Sequence, residues 1–359
     1  MSTIGAIFSD SSHPPVFLAE IGTFFNQDVA AGVRIVEEIA RVRDNIKALP
    51  IMLKGEVLHD AEICRKTEIQ EHYVDEDGVV HAENYRSLIE RKVVPLEDYA
   101  AVFRRASSLG LELVLSVYDK AGAIFAVEQK AVMLKLASSN LRHAALHEAV
   151  AALNVPLIVD EGRAPLSAVA VTIERLRRLG ADHILLEHSP DGHPALPEAH
   201  NLNIINSYRQ AFGLPVGLSD HYNGEEMLYA ATALGYSVLE KGIVPDRAAS
   251  DQDISHAMPL DRMAKTLRKI YDVYLAVSGA PRRPQHRVIK GNVGTSAHMG
   301  IVTAKPVQAG ETVSLESVSF AFPAEDGIGS EYWELVKGWS FKHALPQGVL
   351  LHWADIYTA

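Results

Sequence analysis

The sequence predicts an α/β fold, a closed parallel (β/α)8 TIM barrel followed by a small, mostly β second domain. Three observations carry this expectation. Eight short runs rich in Val, Ile and Leu recur over the first 241 residues, segments of helical periodicity separate them, and the pattern stops near Ser278. Eight strand and helix alternations in about 270 residues is the arithmetic of such a barrel, for which ~250 residues is typical. An open doubly wound sheet is the competing arrangement, and the absence of a Gly-rich phosphate turn after the first run weighs against it.

Taken in order, the runs are 16–21, 50–54, 113–116, 133–137, 156–159, 183–187, 214–218 and 237–241. Between them, apolar residues return every three or four positions in 30–42, 96–109, 144–152, 168–179 and 225–234, and Gly110, Gly180 and Gly235 follow three of these as helix stops. The connection from Gly55 to Val94 is unusually long and bears Glu68, Glu71, His72, Tyr73, Asp75, Glu76, Asp77, His81 and Tyr85. Connections of that length are uncommon without a function, so it is expected to be a lid over the active face; a solvated insertion is the alternative. The barrel is expected over 1–278. Residues 279–293, with Pro281, Pro284, Arg282, Arg283, Arg287 and Lys290, read as a linker. Short β-like pieces and turns over 294–359 then form a domain that would be marginal alone.

Composition excludes several classes of function. The formal charge of −11 lies entirely within residues 1–280, because residues 281–359 hold seven basic and seven acidic side chains. With 48% apolar and 22% charged residues the chain can bury a large core. No basic face for nucleic acid is evident. Cys64 is the sole cysteine, so any metal must be held by His, Asp or Glu. No run approaches the ~18 apolar residues of a membrane span and no signal peptide opens the chain, so no membrane contact and a cytoplasmic location are expected.

A barrel of this kind gathers its chemistry at the carboxyl ends of its strands. The polar residues there are Glu20; Lys54 and Glu56; Ser116; Lys135, Ser138, Ser139 and Asn140; Asp160 and Glu161; Glu187, His188 and Asp191; Ser219, Asp220 and His221; Glu240 and Lys241. Lys54 and Lys135 sit in apolar strands, where an unpaired ammonium costs several kcal/mol. Either an anionic ligand, a phosphate or carboxylate, answers them, with Ser138, Asn140 and a following helix start adding donors, or each pairs with a carboxylate such as Glu20, Glu56 or Asp160. His188 and His221, flanked by Asp191, Asp220 and Glu240, are a plausible set for a divalent transition metal; proton transfer or a hydrogen-bonded structural role fits them equally. Ser219 and Asp220 could also serve as an ordinary helix cap.

Several stretches carry a family resemblance. They are Ala19-Glu20-Ile21-Gly22 with Asn26 and Asp28; Pro215-Val216-Gly217-Leu218-Ser219-Asp220-His221 with Gly224; Ala233-Leu234-Gly235; Leu239-Glu240-Lys241; His193-Pro194-Ala195 with Glu198, Asn201 and Leu202; and Ala309-Gly310-Glu311. Together they resemble the sialic acid (N-acetylneuraminate) synthase family, which includes spore coat polysaccharide biosynthesis proteins, along nearly the whole chain. The resemblance implies a barrel plus an antifreeze-like (SAF) domain, and a homodimer in which that domain caps the partner's barrel. It implies condensation of phosphoenolpyruvate with an N-acyl hexosamine or related amino sugar, giving a nonulosonic acid and phosphate, with a divalent metal, Mn or Mg, polarising the aldehyde. By position, Glu20, Lys54, Lys135, Ser138 and Ser219 match residues that hold phosphoenolpyruvate or support the site. Strand ends and resemblance together give Glu20, His188, His221 and Asp253 as the catalytic set. They give Lys54, Glu56, Lys135, Ser138, Asn140, Asp160, Asp191 and Ser219 as the substrate-binding set, with His221 as metal ligand.

The chain also departs from the family pattern. The second metal-binding histidine is replaced by Gly242, and His188, Asp191 or His256 are the residues that could make good the loss. Asp160-Glu161-Gly162 stands for Ser-Thr-Gly, Ser116-Val117-Tyr118 for Ser-Thr-Pro, Lys54-Gly55-Glu56 for Lys-x-Gln, Asn140 for a glutamate and Phe322 for an arginine. The family aspartate beyond the eighth strand falls on Asp253, or on Asp251 if the alignment slips. Two other functions are therefore carried forward. One is an aldolase or lyase acting on a carbohydrate acid with Lys54 or Lys135 as amine. The other is a non-catalytic sugar-binding protein that lost its metal ligand.

Overall fold

The computed structural model describes residues 3–9, 13–25, 27–47, 49–74, 79–245, 253–279, 298–324 and 326–358. Eight strands form the barrel: β1 (Val16–Glu20), β2 (Ile51–Val57), β3 (Leu113–Val117), β4 (Met133–Leu136), β5 (Leu157–Asp160), β6 (Ile184–His188), β7 (Val216–Asp220) and β8 (Val238–Val244). Each pairs in parallel with the next, and β1 pairs with β8 to close the ring. Every one of the eight apolar runs is a barrel strand, because strands buried on both faces read as continuous apolar sequence.

The strand period of two divides the side chains cleanly. Val16, Leu18, Met52, Val114, Met133, Ile158, Leu185 and Val238 point inward and form an apolar floor with Ile7, from a short helix, Thr3–Ile7, that the sequence reading did not anticipate. Phe17, Ala19, Leu53, Leu115, Leu134, Val159, Leu186 and Leu239 join the larger core shared with the surrounding helices. One of those helices, Val29–Asn45, starts where the Asp28 side chain accepts a hydrogen bond from the Ala31 N–H (3.1 Å).

The long connection after β2 is structured. It contains a 3-10 turn (Ala61–Ile63), an antiparallel hairpin (Gln70–Val74 with Val80–Asn84) and a helix (Tyr85–Lys92) whose first N–H groups, of Arg86 and Ser87, are capped by the Asn84 side chain. Asp75, Glu76 and Asp77 lie outside the described residues. β8 runs on to Val244 and pairs with Met258–Pro259, which follows a 3-10 turn, Ile254–His256.

The chain divides into two compact units after Gly279, one residue beyond the expected barrel end. From Ala280 to Val293 the expected linker is outside the described residues. The second unit has its own core of Ile301, Val307, Val313, Val318, Ile328, Val336, Phe341, Leu351 and Ile356, around antiparallel pairs Gly300–Thr303 with Val318–Ala321 and Ser340–Phe341 with Ile356–Tyr357. Among the described residues no helix is long and apolar enough to cross a membrane.

Candidate active site

Two residues above the apolar floor, the same inward parity brings up a polar layer with one residue from each strand: Glu20, Lys54, Ser116, Lys135, Asp160, Glu187, Ser219 and Glu240, all buried. All but Glu187 line a cavity of about 570 Å³ at the carboxyl ends of the strands. Glu240 ties the layer together, with one carboxylate oxygen 2.7 Å from the Lys135 Nζ and 3.5 Å from the Lys54 Nζ. Lys54 also approaches Glu20 (3.1 Å) and Glu56 (3.7 Å), and Lys135 approaches Glu187 (2.6 Å) and Asp160 (3.2 Å). Both lysines are therefore carboxylate-paired, the second of the two readings above. Ser116 Oγ and Glu240 Oε2 are buried without a hydrogen-bond partner in the protein, which leaves polar capacity directed at whatever fills the cavity.

Burial and pairing move the charges apart. Burial would strip Lys54 and Lys135 of their protons, but the surrounding carboxylates prevail and hold both above the ordinary lysine range. Burial pushes Glu187 up to about 8 and Glu20 up to about 7, against the pull of the lysines, so Glu187 keeps a proton at neutral pH. Glu240 goes the other way. Burial raises it, yet the Lys135 and Lys54 ammonium groups together bring it down to about 2.

Beside this layer stand three histidines, each from the loop after one of three consecutive strands: His193 after β6, His221 after β7 and His256 after β8. Each offers one ring nitrogen, and the three nitrogens lie within 4.8 Å of one another. His193 Nδ1 is 3.2 Å from His256 Nε2, and the Ala195 N–H donates to the His221 carbonyl (2.9 Å), fastening the two loops together. His221 Nδ1 and His256 Nδ1 are buried without a partner in the protein. Burial, reinforced by the neighbouring rings, lowers His221 to about 3 and His256 well below its usual range, so both present neutral imidazole. Asp253 lies at the edge of the trio, 3.7 Å from His193 and 4.0 Å from His256, and Lys92 contacts it at 2.6 Å. Burial opposes its charge, but the Lys92 ammonium above all keeps it ionised. Orphaned neutral imidazoles beside an acid fit a divalent transition metal.

The sequence-derived set divides on inspection. Glu20, Lys54, Glu56, Lys135, Ser138, Asn140, Asp160, Ser219, His221 and Asp253 all line the cavity. His188 and Asp191 do not. His188 is held at both ring nitrogens, Nδ1 against Glu161 and Nε2 donating to the His200 carbonyl (each 2.5 Å), which fixes it as a clamp on the β6 end. Asp191 forms an exposed ion pair with Arg163 (2.8 Å). Glu161 is likewise spent on His188 rather than facing the cavity. Asp160 is saturated by the Gly162 N–H (3.0 Å), the Ser189 hydroxyl (2.8 Å) and Lys135. The helix start expected after β4 is a single 3-10 turn, Ser138–Asn140, so it brings no row of N–H donors. Gly162 is required there: its φ is +53°, and a Cβ would lie 2.6 Å from that of Ser138.

Sequence reasoning missed Lys92, whose helix carries the ordinary basic signal of a helix end, and gave His193 only as part of a motif. The spacing of 193, 221 and 256 after three neighbouring strands was the available signal. From the long connection Ile63, Cys64, Tyr85, Leu88, Ile89 and Lys92 line the cavity, whereas Glu68, Glu71, His72, Tyr73 and His81, which with Tyr85 suggested a lid, do not.

Comparison with known proteins places these features in a lineage. Residues 52–281 match the NeuB family and residues 298–356 the SAF domain. The chain is 27% identical over 280 residues to the spore coat polysaccharide biosynthesis protein SpsE of Bacillus subtilis, covering 74% of each. It is 24% identical over 264 residues to the N,N'-diacetyllegionaminic acid synthase of Legionella pneumophila, covering 72% of this chain and 73% of that one. The solved structure of the Bacillus subtilis SpsE superposes with a TM-score of 0.62 at 22% identity, covering 98% of this chain and 97% of that one.

Proposed function

Because the chain belongs to the NeuB family, whose model spans the barrel from Met52 onward, we propose that it is a carbon–carbon bond-forming enzyme of carbohydrate biosynthesis, condensing phosphoenolpyruvate with the aldehyde of an N-acyl amino sugar. The observation that carries this reading is the pair of buried lysines, Lys54 and Lys135, joined through Glu240 beside three histidines in one cavity. C3 of the enol attacks the aldehyde carbon, and the aldehyde oxygen takes up a proton. Water adds at C2, the C2–O bond to phosphate breaks, and a nonulosonic acid and inorganic phosphate leave. A divalent metal held by the histidines would supply Lewis-acid polarisation of the aldehyde oxygen.

The protein's own residues do the rest. Lys54 and Lys135 hold the anionic cosubstrate, and Ser116 and Ser138 offer hydroxyls at the same wall. The acids crowding the lysines do not forbid an anion, since Glu187 and, in part, Glu20 are uncharged near neutral pH. Glu20 and Asp253, which both line the cavity, serve as proton carriers. The direct test is phosphate release from phosphoenolpyruvate with a panel of N-acyl hexosamines and a divalent metal. Release that stops in Lys135→Met supports the reading, and no release across the panel by folded, metal-loaded protein overturns it.

The aldolase reading is weakened by the same electrostatics. A Schiff base needs a neutral amine, and both lysines are held protonated by their carboxylates. Borohydride trapping of a pyruvate adduct on either lysine would reverse this preference.

A further inference from the structure

The geometry points to a rebuilt metal centre, in which His193, His221 and His256 bind one divalent transition ion of the zinc or ferrous class in preference to magnesium. Only His221 stands at a position the family uses. Gly242, where the family has a histidine, sits on the β8 extension in register with Glu20, and a Cβ there would lie 3.1 Å from the Ala257 Cβ and 3.3 Å from the Phe24 ring. The turn that carries His256 therefore occupies the space that a side chain at 242 would need. Loss of one ligand and arrival of another are two sides of one rearrangement.

The spacing agrees with coordination. Metal–imidazole bonds of ~2.0–2.1 Å at a tetrahedral angle put two ligand nitrogens about 3.3 Å apart. His193 Nδ1 and His256 Nε2 are 3.2 Å apart. The other two pairs lie within 4.8 Å, so neither has more than about 1.5 Å to close to reach that spacing. Asp253 stands beside the ligand atoms themselves: Oδ1 is 3.7 Å from His193 Nδ1 and 4.0 Å from His256 Nε2, and Lys92 contacts Oδ2. Ion choice follows from the donors. Imidazole suits zinc, iron, nickel and copper, whereas magnesium wants carboxylate and water oxygens and near-octahedral geometry. Replacing a site of fewer histidines by three moves the preference away from magnesium.

This inference rests on the barrel site but not on the condensation reading, and its test uses no substrate. Chelator-stripped full-length protein is titrated with zinc, cobalt and magnesium by calorimetry, with cobalt binding followed by its visible absorption. One zinc or cobalt per chain, bound at least roughly 100-fold tighter than magnesium, is the expected result. His193→Ala and His256→Ala should each weaken zinc roughly 100-fold while circular dichroism stays unchanged. If an alanine variant fails to fold, His256→Gln and anomalous scattering from zinc-soaked wild-type crystals take its place, with the peak expected among the three rings. Folded protein that binds no zinc, affinity indifferent to both substitutions, or a peak elsewhere overturns the centre. Tight zinc binding with no phosphate release on any sugar would leave the centre standing and overturn the condensation, and phosphate release by protein that binds no zinc would do the reverse.

Discussion

Lys135 concentrates the cost and the use of the site in one side chain. Its ammonium is buried among Glu187, Glu240 and Asp160, so removing it leaves several acids without their counter-charge. Lys135→Met should destabilise the barrel by about 3–5 kcal/mol in urea unfolding, and adding Glu240→Gln, which removes the ionised partner, should restore part of the loss. A loss below about 1 kcal/mol would show that the acids simply protonate in its place. The raised carboxyls give a second expectation. Glu187 and Glu20 fold with pKa values above their ordinary 4.5, so the native state binds protons that the unfolded chain releases. Their contribution is fully present below about pH 4.5 and is lost as pH rises through about 7 and 8. Urea midpoints should fall with this slope from about pH 6.5 to 9, above the range in which the lowered His221 and His256 act in the opposite direction, and Glu187→Gln should flatten it. Phosphoenolpyruvate affinity should decline over the same window, because each proton lost adds a negative charge beside the lysines.

At the level of elements, the turn Ile254–His256 and the β8 extension are packed against each other at Gly242. Gly242→Ala should push that turn outward, costing about 1–3 kcal/mol of stability by overpacking and weakening zinc roughly tenfold. Unchanged zinc affinity in a folded variant would mean that the turn has slack. The eight barrel strands were legible from sequence because both of their faces are buried, so each announces itself as an apolar run. The hairpin Gln70–Val74 with Val80–Asn84 was not, since its strands are short, largely polar and bury only Tyr73. The histidine trio was half legible. His221 stands at a strand end and His256 was a candidate, but their meeting depends on β6, β7 and β8 being neighbours in a closed ring, which no local pattern reports. His188 looked equivalent to His221 in sequence, and only the packing of Glu161 and the His200 carbonyl against it separates their roles.

For the whole molecule, each of the two units has an apolar core of its own. A fragment of residues 1–279 should unfold cooperatively and bind zinc as tightly as the full chain, checked by melting and calorimetry. A fragment beginning at His298 has about 60 residues, a size at which a single core is marginal, and should melt well below the barrel. Loss of cooperative melting from the 1–279 fragment would show that the barrel needs its companion. The alternation of an apolar floor and a charged storey above it carries one more consequence. Seven of the eight strands contribute a side chain to both levels with the same parity, β7 having Gly217 below Ser219, so a slip of one residue in any of the seven would turn its polar member, charged in six of them, outward against the helices and an apolar one into the cavity. The ring of charge thus acts as a proofreader of strand register during folding. Single-residue insertions or deletions within the strands should be lethal to the fold, while two-residue changes, which preserve parity, should be the milder error.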